Sequence, residues 1–306
     1  MPSTRPTVAV LLSTYDGSRW LAPQFESLLA QRDVDVMVRV RDDGSRDDTP
    51  QLLARWAADR RIEYECGGNL GVVRSYLALL AAAPPTAEFV AFSDQDDVWL
   101  PDKLSAAVRR LATHDPSLPA LYCSRTRYVD ETLQPLGLSR IPRIVGYTNA
   151  LVENVATGCT VVMNRSAVDL VNARPPSAAL MHDWWCYLVV SAFGAVEYDP
   201  IPRILYRQHG GNVIGGRSGW VASVPDRFRR LRLRRDGAFR CSNQAAEFLR
   251  CHGERLAPEK RALLDDFLAA RRSTPAALAF AASGRVHRAS PQDDLVLRAM
   301  IAARLF

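Results

Sequence analysis

The chain has 306 residues, of which 48% are hydrophobic and 24% are charged, as is ordinary for a globular protein with a sizeable buried core. Its formal net charge of +6 equals the six arginines of residues 227–235, so the rest of the chain is close to neutral. Because it contains no run of 18 apolar residues, no signal-peptide pattern and no C-x-x-C pair, we expect a cytoplasmic protein without a membrane span, zinc site or disulfide framework.

The first hundred residues alternate apolar strand patterns with amphipathic helix patterns. Strands are predicted at residues 8–12, 34–40, 62–65 and 89–92, and helices at residues 18–31 and 72–83 and from residues 49 and 101 onward. Regular alternation of this kind predicts an α/β/α sandwich with a mainly parallel, Rossmann-like sheet. Ligands of such sheets bind beyond the carboxyl ends of the strands.

The second half of the chain has a mixed pattern. Strands are predicted at residues 121–129, 155–163 and 201–206, and a helix at residues 181–193. Residues 217–306 are rich in arginine and alanine and read as several helices. We therefore predict a domain at residues 1–216 and a helical C-terminal extension at residues 217–306.

The arginine-rich segment has a helical pattern of its own. Val221, Val224, Phe228 and Leu231 recur at helical spacing, and arginines fill much of the remainder. This pattern is typical of a helix that lies on an anionic membrane surface, where it would bring the protein to the inner face of the cell membrane. A solvated helix or a nucleic-acid contact would give the same pattern. The membrane surface and the solvated helix stay open as alternatives, and we expect no nucleic-acid partner.

The strongest chemical signal is the acidic cluster at residues 94–97. The chain leaves an apolar strand and delivers Asp94, Asp96 and Asp97 within four residues. Residues two apart in extended backbone point the same way, so Asp94 and Asp96 can share one pocket. Crowded carboxylates repel unless a cation lies between them, and Mg²⁺ or Mn²⁺ bound to a phosphate ligand fits this arrangement. A solvated turn with helix-capping aspartates is the alternative.

Two further clusters follow strands at the same predicted edge. Thr14 and Tyr15 follow the first strand, and Asp42 and Asp43 form an acidic turn after the second, where a carboxylate can accept a hydrogen bond from a nucleobase. A glycine-rich loop at residues 67–71 precedes a helix, an arrangement that favours phosphate. Asn69 in this loop and Arg74 in the helix are candidate anion contacts. An ordinary Asp-Gly turn and an ordinary loop are the alternatives.

The last two clusters lie in the second half of the chain. Asp183 lies between His182 and two tryptophans, Trp184 and Trp185, and partial desolvation there would raise its basicity. A helix-capping aspartate among core tryptophans is the alternative. Arg207 and His209 end a predicted strand, where they are candidates to neutralise a diphosphate and to bind a metal ion, although a lone histidine is more often structural.

Taken in order, these motifs resemble those of glycosyltransferase family 2, the inverting family with the GT-A fold, over roughly residues 6–215. The matching segments are residues 13–15, 42–45, 94–96, 157–159, 182–183 and 206–209. The resemblance implies a nucleotide-diphosphate sugar as donor, Mg²⁺ or Mn²⁺ as cofactor, and a glycan or lipid-linked hydroxyl as acceptor. His182 departs from the glutamate that is usual at its position.

The resemblance also assigns roles to the candidate residues. Asp183 is the catalytic base, and Asp96 and His209 hold the metal. The acceptor side comprises Gly158, His182, Trp184 and Trp185. The donor-binding residues are Thr14, Tyr15, Asp42, Asp43, Asn69, Arg74, Asp94 and Arg207.

The residues of three segments resemble a narrower group within this family. Residues 92–99, 182–185 and 206–215 resemble bacterial rhamnosyltransferase-like members that build cell-surface polysaccharides, which implies dTDP-L-rhamnose as donor. A UDP-hexose donor, a nucleotidyltransferase and a non-catalytic nucleotide-sugar binder are the alternatives. A nicotinamide-dependent oxidoreductase is disfavoured because residues 13–18 lack G-x-G-x-x-G after the first strand.

Overall fold

The computed structural model describes residues 5–59, 61–210 and 240–306. The chain divides into two compact units. Unit 1 comprises Met1–Ser139, Ala156–Ala173 and Gly194–Gly216. Unit 2 comprises Arg140–Val155, Arg174–Phe193 and Arg217–Phe306. The division is interleaved along the chain, because unit 2 draws on two segments that precede the predicted boundary at residue 216.

Unit 1 is built on a large sheet. Its strands are β1 Thr7–Thr14, β2 Asp35–Asp42, β3 Glu63–Cys66, β4 Phe89–Ser93, β6 Ala120–Ser124, β9 Val162–Asn164 and β10 Ala195–Asp199. The strand order is β10-β6-β9-β4-β1-β2-β3, and only β9 runs antiparallel to its neighbours. This mainly parallel sheet confirms the fold class predicted from the alternating pattern.

A smaller sheet completes the strands of unit 1. Its members are β5 Val98–Trp99, β7 Arg127–Val129, β8 Pro135–Leu138 and β11 Ile204–Arg207, in the order β5-β11-β7-β8. Strand β5 follows the acidic cluster directly and pairs with β11 through Ile204 and Trp99. The small sheet therefore brings the residues after β11 back to the cluster that precedes β5.

The helices of unit 1 are α1 Ser18–Leu29, α2 Thr49–Ala58, α3 Val72–Ala81, α4 Lys103–Leu111 and α6 Arg165–Ala173. Their apolar residues cover the large sheet, so strand β1 is buried along almost its whole length. A strand buried on both faces reads as a continuous apolar run, which is why residues 8–12 are without a polar side chain.

Unit 2 is helical in the part that the structure describes. Its helices are α5 Tyr147–Ala150, α7 His182–Phe193, α8 Cys241–His252, α9 Pro258–Ala269, α10 Thr274–Ser283 and α11 Pro291–Ala302. Aromatic side chains form much of its core: Phe248 packs against Trp185 with ring centroids 6.2 Å apart, and Phe267 packs against Phe306 at 4.8 Å.

Two sequence predictions were wrong in detail. The strand predicted at residues 121–129 is two strands, β6 and β7, which belong to different sheets. Residues 125 and 126 lie between them and belong to neither strand. The strand predicted at residues 155–163 begins only at Val162 and is preceded by a 3-10 turn, Gly158–Thr160. The arginine-rich segment at residues 227–235 lies outside the described residues.

The remaining expectations concern the cysteines and membrane spans. All six cysteines are free thiols, and five of them are buried while Cys66 is exposed. Across residues 5–59, 61–210 and 240–306, the structure contains no helix with the length and apolar character that a membrane crossing requires.

Candidate functional site

The polar residues after strands β1, β2 and β4 lie at one edge of the large sheet. Strand β1 is the centre of the parallel strands, with β2 on one side and β4 on the other. Its last residue, Thr14, is in register with Asp42, and Leu12 is in register with Ser93. The chain order reverses at this point, and such a reversal is where open α/β sheets bind ligands.

The acidic cluster meets the segment after β11 at this edge. His209 Nε2 lies 2.6 Å from an Asp96 carboxylate oxygen, although 113 residues separate the pair in sequence. The two side chains keep 11% and 14% of their surface exposed, so the pair faces the solvent-accessible rim. The structure therefore brings together the two residues predicted to hold a metal ion.

Trp20 supports His209 from helix α1. The indole and imidazole rings are stacked, with centroids 5.1 Å apart and planes inclined by 20°. The guanidinium carbons of Arg19 and Arg207 lie 4.1 and 4.7 Å from the same indole ring. Trp20 was not a sequence candidate, because an aromatic residue in an amphipathic helix reads as core.

Arg207 joins strand β11 to the acidic cluster. Its side chain is buried, with Nε donating to the Asp96 carbonyl at 2.8 Å and Nη1 donating to the Glu131 carbonyl. Its backbone N–H donates to Asp97 Oδ1 at 3.1 Å. The guanidinium thus fastens the acidic cluster to β11, and its contact with a diphosphate stays a prediction.

Asp94 is oriented by helix α3. Tyr76, which is buried, places its hydroxyl 2.7 Å from Asp94 Oδ1 and 2.7 Å from the Ser93 carbonyl. Burial and the neighbouring Asp94 raise the pKa of the Tyr76 phenol well above its usual value, so the phenol stays protonated and donates. Asp94 itself remains partly exposed, which leaves it available to a ligand.

Asp97 points into the protein. It is 1% exposed, and burial together with the charges of Asp96 and Asp94 raises the pKa of its carboxyl well above the usual range. Lys103 is fully buried nearby, with its Nζ 3.3 Å from the centroid of the Trp99 ring, and burial lowers its pKa to about 7. These two residues form a buried layer behind the partly exposed carboxylates.

Two groups of side chains near the acidic cluster are candidates to bind a cation. One atom each of Asp94, Asp97 and Cys159 lies within 4.8 Å of the others. Burial raises the pKa values of Asp97 and Cys159, so a cation that bound there would have to displace their protons. Asp96 and His209 form a second, partly exposed pair 2.6 Å apart, and a carboxylate oxygen suits Mg²⁺ or Mn²⁺. The Asp96–His209 pair at the rim is therefore a second candidate to hold a divalent cation.

Asp43 is a structural carboxylate. It accepts hydrogen bonds from the backbone N–H groups of Leu70 and Gly71 at 2.9 and 2.8 Å, and it pairs with Arg41 at 3.3 Å. Arg41 also donates to the Gly68 carbonyl at 2.9 Å. Both charged side chains are buried, so they fix the glycine-rich loop. The contact of Asp43 with a donor stays a prediction.

Asp42 is held by its own turn. The Ser45 hydroxyl donates to Asp42 Oδ1, and the Ser45 N–H lies 3.3 Å from both carboxylate oxygens. Cys66 is its cross-strand neighbour on β3, and that thiol is exposed. Asp42 therefore stays at the edge of the sheet with its orientation fixed.

The other donor candidates differ in exposure. Tyr15 is 44% exposed and Thr14 is 2% exposed. Asn69 and Arg74 are exposed, and Asn69 accepts a hydrogen bond from the Gly71 N–H at 3.1 Å. The loop and the start of α3 thus present polar groups to solvent, as an anion site requires.

The remaining candidates of unit 1 and unit 2 fall into buried and partly exposed groups. Gly158 is buried in the turn that places Cys159 against Asp97. Trp185 has no exposed surface and packs against Phe248 and His252, so it serves the core and offers no face to an acceptor.

Asp183 and its neighbours begin helix α7 within unit 2. Asp183 is 6% exposed, and its carboxylate accepts the Trp184 N–H at 2.6 Å. Trp184 is partly exposed, with its indole N–H donating to the Ala150 carbonyl at 2.6 Å. His182 is buried, and burial lowers its pKa to about 3, so its ring is neutral.

Comparison with known proteins gives consistent matches. Residues 9–169 match the family described as Glycosyl transferase family 2. The chain is 25% identical to the dTDP-rhamnosyl transferase RfbG of Shigella flexneri over 251 residues, which cover 75% of this chain and 81% of that protein.

Two solved structures share the fold. One is a mannosyltransferase from Pyrobaculum calidifontis in complex with GDP-Man and Mn²⁺, which is 18% identical to this chain with a TM-score of 0.54. The superposition covers 99% of this chain and 86% of the mannosyltransferase chain. The other is a fragment of S. aureus TarS in complex with UDP-GlcNAc, which is 14% identical to this chain with a TM-score of 0.53. The superposition covers 97% of this chain and 88% of the TarS chain.

Proposed function

Because the chain belongs to glycosyltransferase family 2 and has the GT-A fold, we propose that it transfers a sugar from a nucleoside-diphosphate donor to an acceptor hydroxyl, with inversion and with a divalent cation. The observation that carries this proposal is the 2.6 Å contact between Asp96 and His209 at the edge where β1 and β4 end. A cation held by this pair would lie at the edge of the sheet where we propose that the donor's diphosphate binds.

The donor would lie along the carboxyl ends of β1, β2 and β4. Asp42, held by Ser45, would accept a hydrogen bond from a nucleobase N–H, and the exposed Tyr15 ring would contact the base. Asp94, oriented by Tyr76, would accept from the ribose hydroxyls. Asn69 and Arg74 would contact the phosphates at the start of α3.

Asp96 and His209 would hold Mg²⁺ or Mn²⁺. When bound, the cation supplies positive charge that stabilises the departing diphosphate. The protein's own contribution is orientation: Trp20 stacks on His209, and Arg207 fixes the Asp96 backbone. A ligand set that is held in this way needs little rearrangement when the donor binds.

Asp183 would act as the general base. The acceptor oxygen forms a bond to the anomeric carbon while the bond from that carbon to the diphosphate oxygen breaks, and Asp183 takes the hydroxyl proton. A single displacement of this kind inverts the anomeric configuration. The partly exposed Trp184 is the remaining aromatic candidate for the acceptor side, because Trp185 is buried.

The donor is proposed to be dTDP-L-rhamnose, and the acceptor a glycan or lipid-linked hydroxyl in surface polysaccharide synthesis. Support comes from the similarity to the Shigella flexneri dTDP-rhamnosyl transferase over 75% of this chain. A UDP-hexose donor is the second candidate, because the S. aureus neighbour was solved with UDP-GlcNAc. Docking of residues 221–235 on an anionic membrane stays a prediction.

The test is a product assay with a panel of nucleotide sugars in the presence of Mn²⁺. We expect slow metal-dependent release of a nucleoside diphosphate from the cognate donor, even before an acceptor is known. In a parallel reaction with a nucleoside triphosphate and a sugar 1-phosphate, release of pyrophosphate would instead identify a nucleotidyltransferase. Binding without any release would identify a non-catalytic binder, and either result would overturn the proposal.

A further inference from the structure

Gln95, the residue between the two rim aspartates, joins the acidic cluster to the end of strand β1. Its Oε1 accepts hydrogen bonds from the Thr14 hydroxyl at 2.6 Å and from the Tyr15 N–H at 2.9 Å. Its Nε2 donates to the Tyr15 carbonyl at 3.3 Å. The side-chain amide thus pairs with the backbone of Tyr15 on both its donor and its acceptor side.

Only a glutamine side chain satisfies all of these contacts. The Tyr15 N–H can only donate, so the atom facing it must be an oxygen, and the Tyr15 carbonyl can only accept, so the other atom must carry hydrogen. A glutamate would keep the first contact and lose the second. A leucine of similar size would lose all of them.

Gly17 provides an independent sign that this contact is built into the fold. A Cβ added at Gly17 would lie 2.4 Å from Gln95 Oε1 and 2.5 Å from the Thr14 hydroxyl oxygen. Its backbone φ of −103° is open to any residue, so close approach of Gln95 and Thr14 is what requires glycine here. The sequence thus makes room for the Gln95 amide.

The hydrogen bonds continue from β1 to the acidic turn after β2. The Asp43 N–H donates to the Thr14 carbonyl at 2.8 Å, and the Asp16 N–H donates to the Ser45 hydroxyl at 2.9 Å. Since Ser45 holds Asp42, one network runs from Gln95 through residues 14–16 to Asp42. It connects the turn proposed to bind the base with the cluster proposed to bind the cation.

We propose that Gln95 is a positioning residue that fixes the spacing between the nucleobase site and the cation site, so that a donor can occupy both at once. This inference rests on the proposed function. A fixed spacing matters only for a ligand that reaches both sites. Loss of Gln95 should therefore weaken a metal-bound nucleoside diphosphate much more than a nucleoside.

The test measures the binding of UDP and dTDP, each with and without Mn²⁺, and of uridine and thymidine, by calorimetry. Gln95→Leu should raise the Kd of the Mn²⁺-bound cognate diphosphate about tenfold, as expected for lost hydrogen bonds, and leave the nucleoside Kd within about twofold. Gln95→Glu should recover part of the loss, because it keeps the acceptor. Gln51→Leu, at an exposed position on α2, is the matched control and should change neither value.

A double-mutant cycle adds a second readout. Gly17→Ala should weaken diphosphate binding in the wild-type background and weaken it less in a Gln95→Ala background, because the Cβ then meets only the Thr14 hydroxyl. Full multiplicativity of the two effects, or an unchanged Kd in Gln95→Leu, would overturn the proposal. If the wild type itself bound no nucleotide with Mn²⁺, that result would overturn the proposed function, on which the role of Gln95 rests.

Discussion

The substitution Asp43→Asn tests whether the Asp43 carboxylate stabilises the glycine-rich loop or instead serves only to contact a donor. In the structure Asp43 accepts the Leu70 and Gly71 N–H groups and pairs with the buried Arg41. Asparagine has the same size, but it presents an acceptor to only one of the two N–H groups. It also leaves the Arg41 guanidinium, which is 6% exposed, without a carboxylate.

The magnitude follows from these contacts. A hydrogen bond to a charged group contributes about 1.5–3 kcal/mol, and breaking a buried ion pair costs about 3–5 kcal/mol. The two figures overlap because one carboxylate makes both contacts, and Arg41 keeps its bond to the Gly68 carbonyl. We therefore expect a loss of about 3 kcal/mol, which lowers Tm by about 6–12 °C for a unit of this size.

Differential scanning fluorimetry in the absence of nucleotide measures this loss. Asp48→Asn is the matched control, since Asp48 is exposed at the start of α2 and its side chain makes no capping hydrogen bond. A Tm for Asp43→Asn equal to those of the wild type and the control would refute the reasoning. Asp43 would then have to be reassigned to the donor itself.

Three further predictions concern other parts of the molecule. Asp183→Asn should keep the donor Kd and lose sugar transfer by at least about 100-fold, measured as product per minute, because general-base catalysis is removed. Gly194→Ala should destabilise the protein by about 1–3 kcal/mol in urea unfolding, since the added Cβ would lie 1.8 Å from a backbone carbonyl oxygen, whereas Gly68→Ala meets no atom within 4 Å and should not. Hydrogen bonding from Arg250 lowers the pKa of Glu247 from 4.5 to about 2. The contribution of this carboxylate to the free energy of unfolding is therefore present above pH 4.5 and is lost as the pH falls towards 2. The unfolding free energies of the wild type and Glu247→Gln should converge across that pH range.

Each of these predictions has a clear contrary outcome. Near-normal turnover of Asp183→Asn would remove it from the role of base. Equal stability of the two glycine variants would mean that the backbone beside residue 194 yields at no cost. A constant difference between wild type and Glu247→Gln from pH 5 to pH 2 would show that this carboxylate is not stabilised by its ion pair.

The large sheet was predictable because its strands are buried on both faces. The resulting apolar runs, as at residues 8–12 and 89–92, stand out from the amphipathic helices that separate them. The small sheet was not predictable in the same way. Strand β5 has two residues and β8 is exposed throughout, so neither carries a periodic signal.

The candidate site divides along a similar line. The residues that end strands were found from their position, and the pairing of Asp96 with His209 came from the order of motifs that the family shares. Gln95, Trp20 and Tyr76 were missed, because their roles depend on contacts between residues far apart in sequence. Gly17 was the one available signal, since a glycine after Tyr15 allows close approach of another side chain.

The central claim is that the rim residues at the ends of β1, β2 and β4 bind a nucleoside diphosphate through a divalent cation. Calorimetric titration of the cognate nucleoside diphosphate into wild type and Asp96→Ala, each with Mn²⁺ and with a chelator, tests it most directly. We expect tight binding only for wild type with Mn²⁺. Equal affinity of both proteins under both conditions would contradict the account.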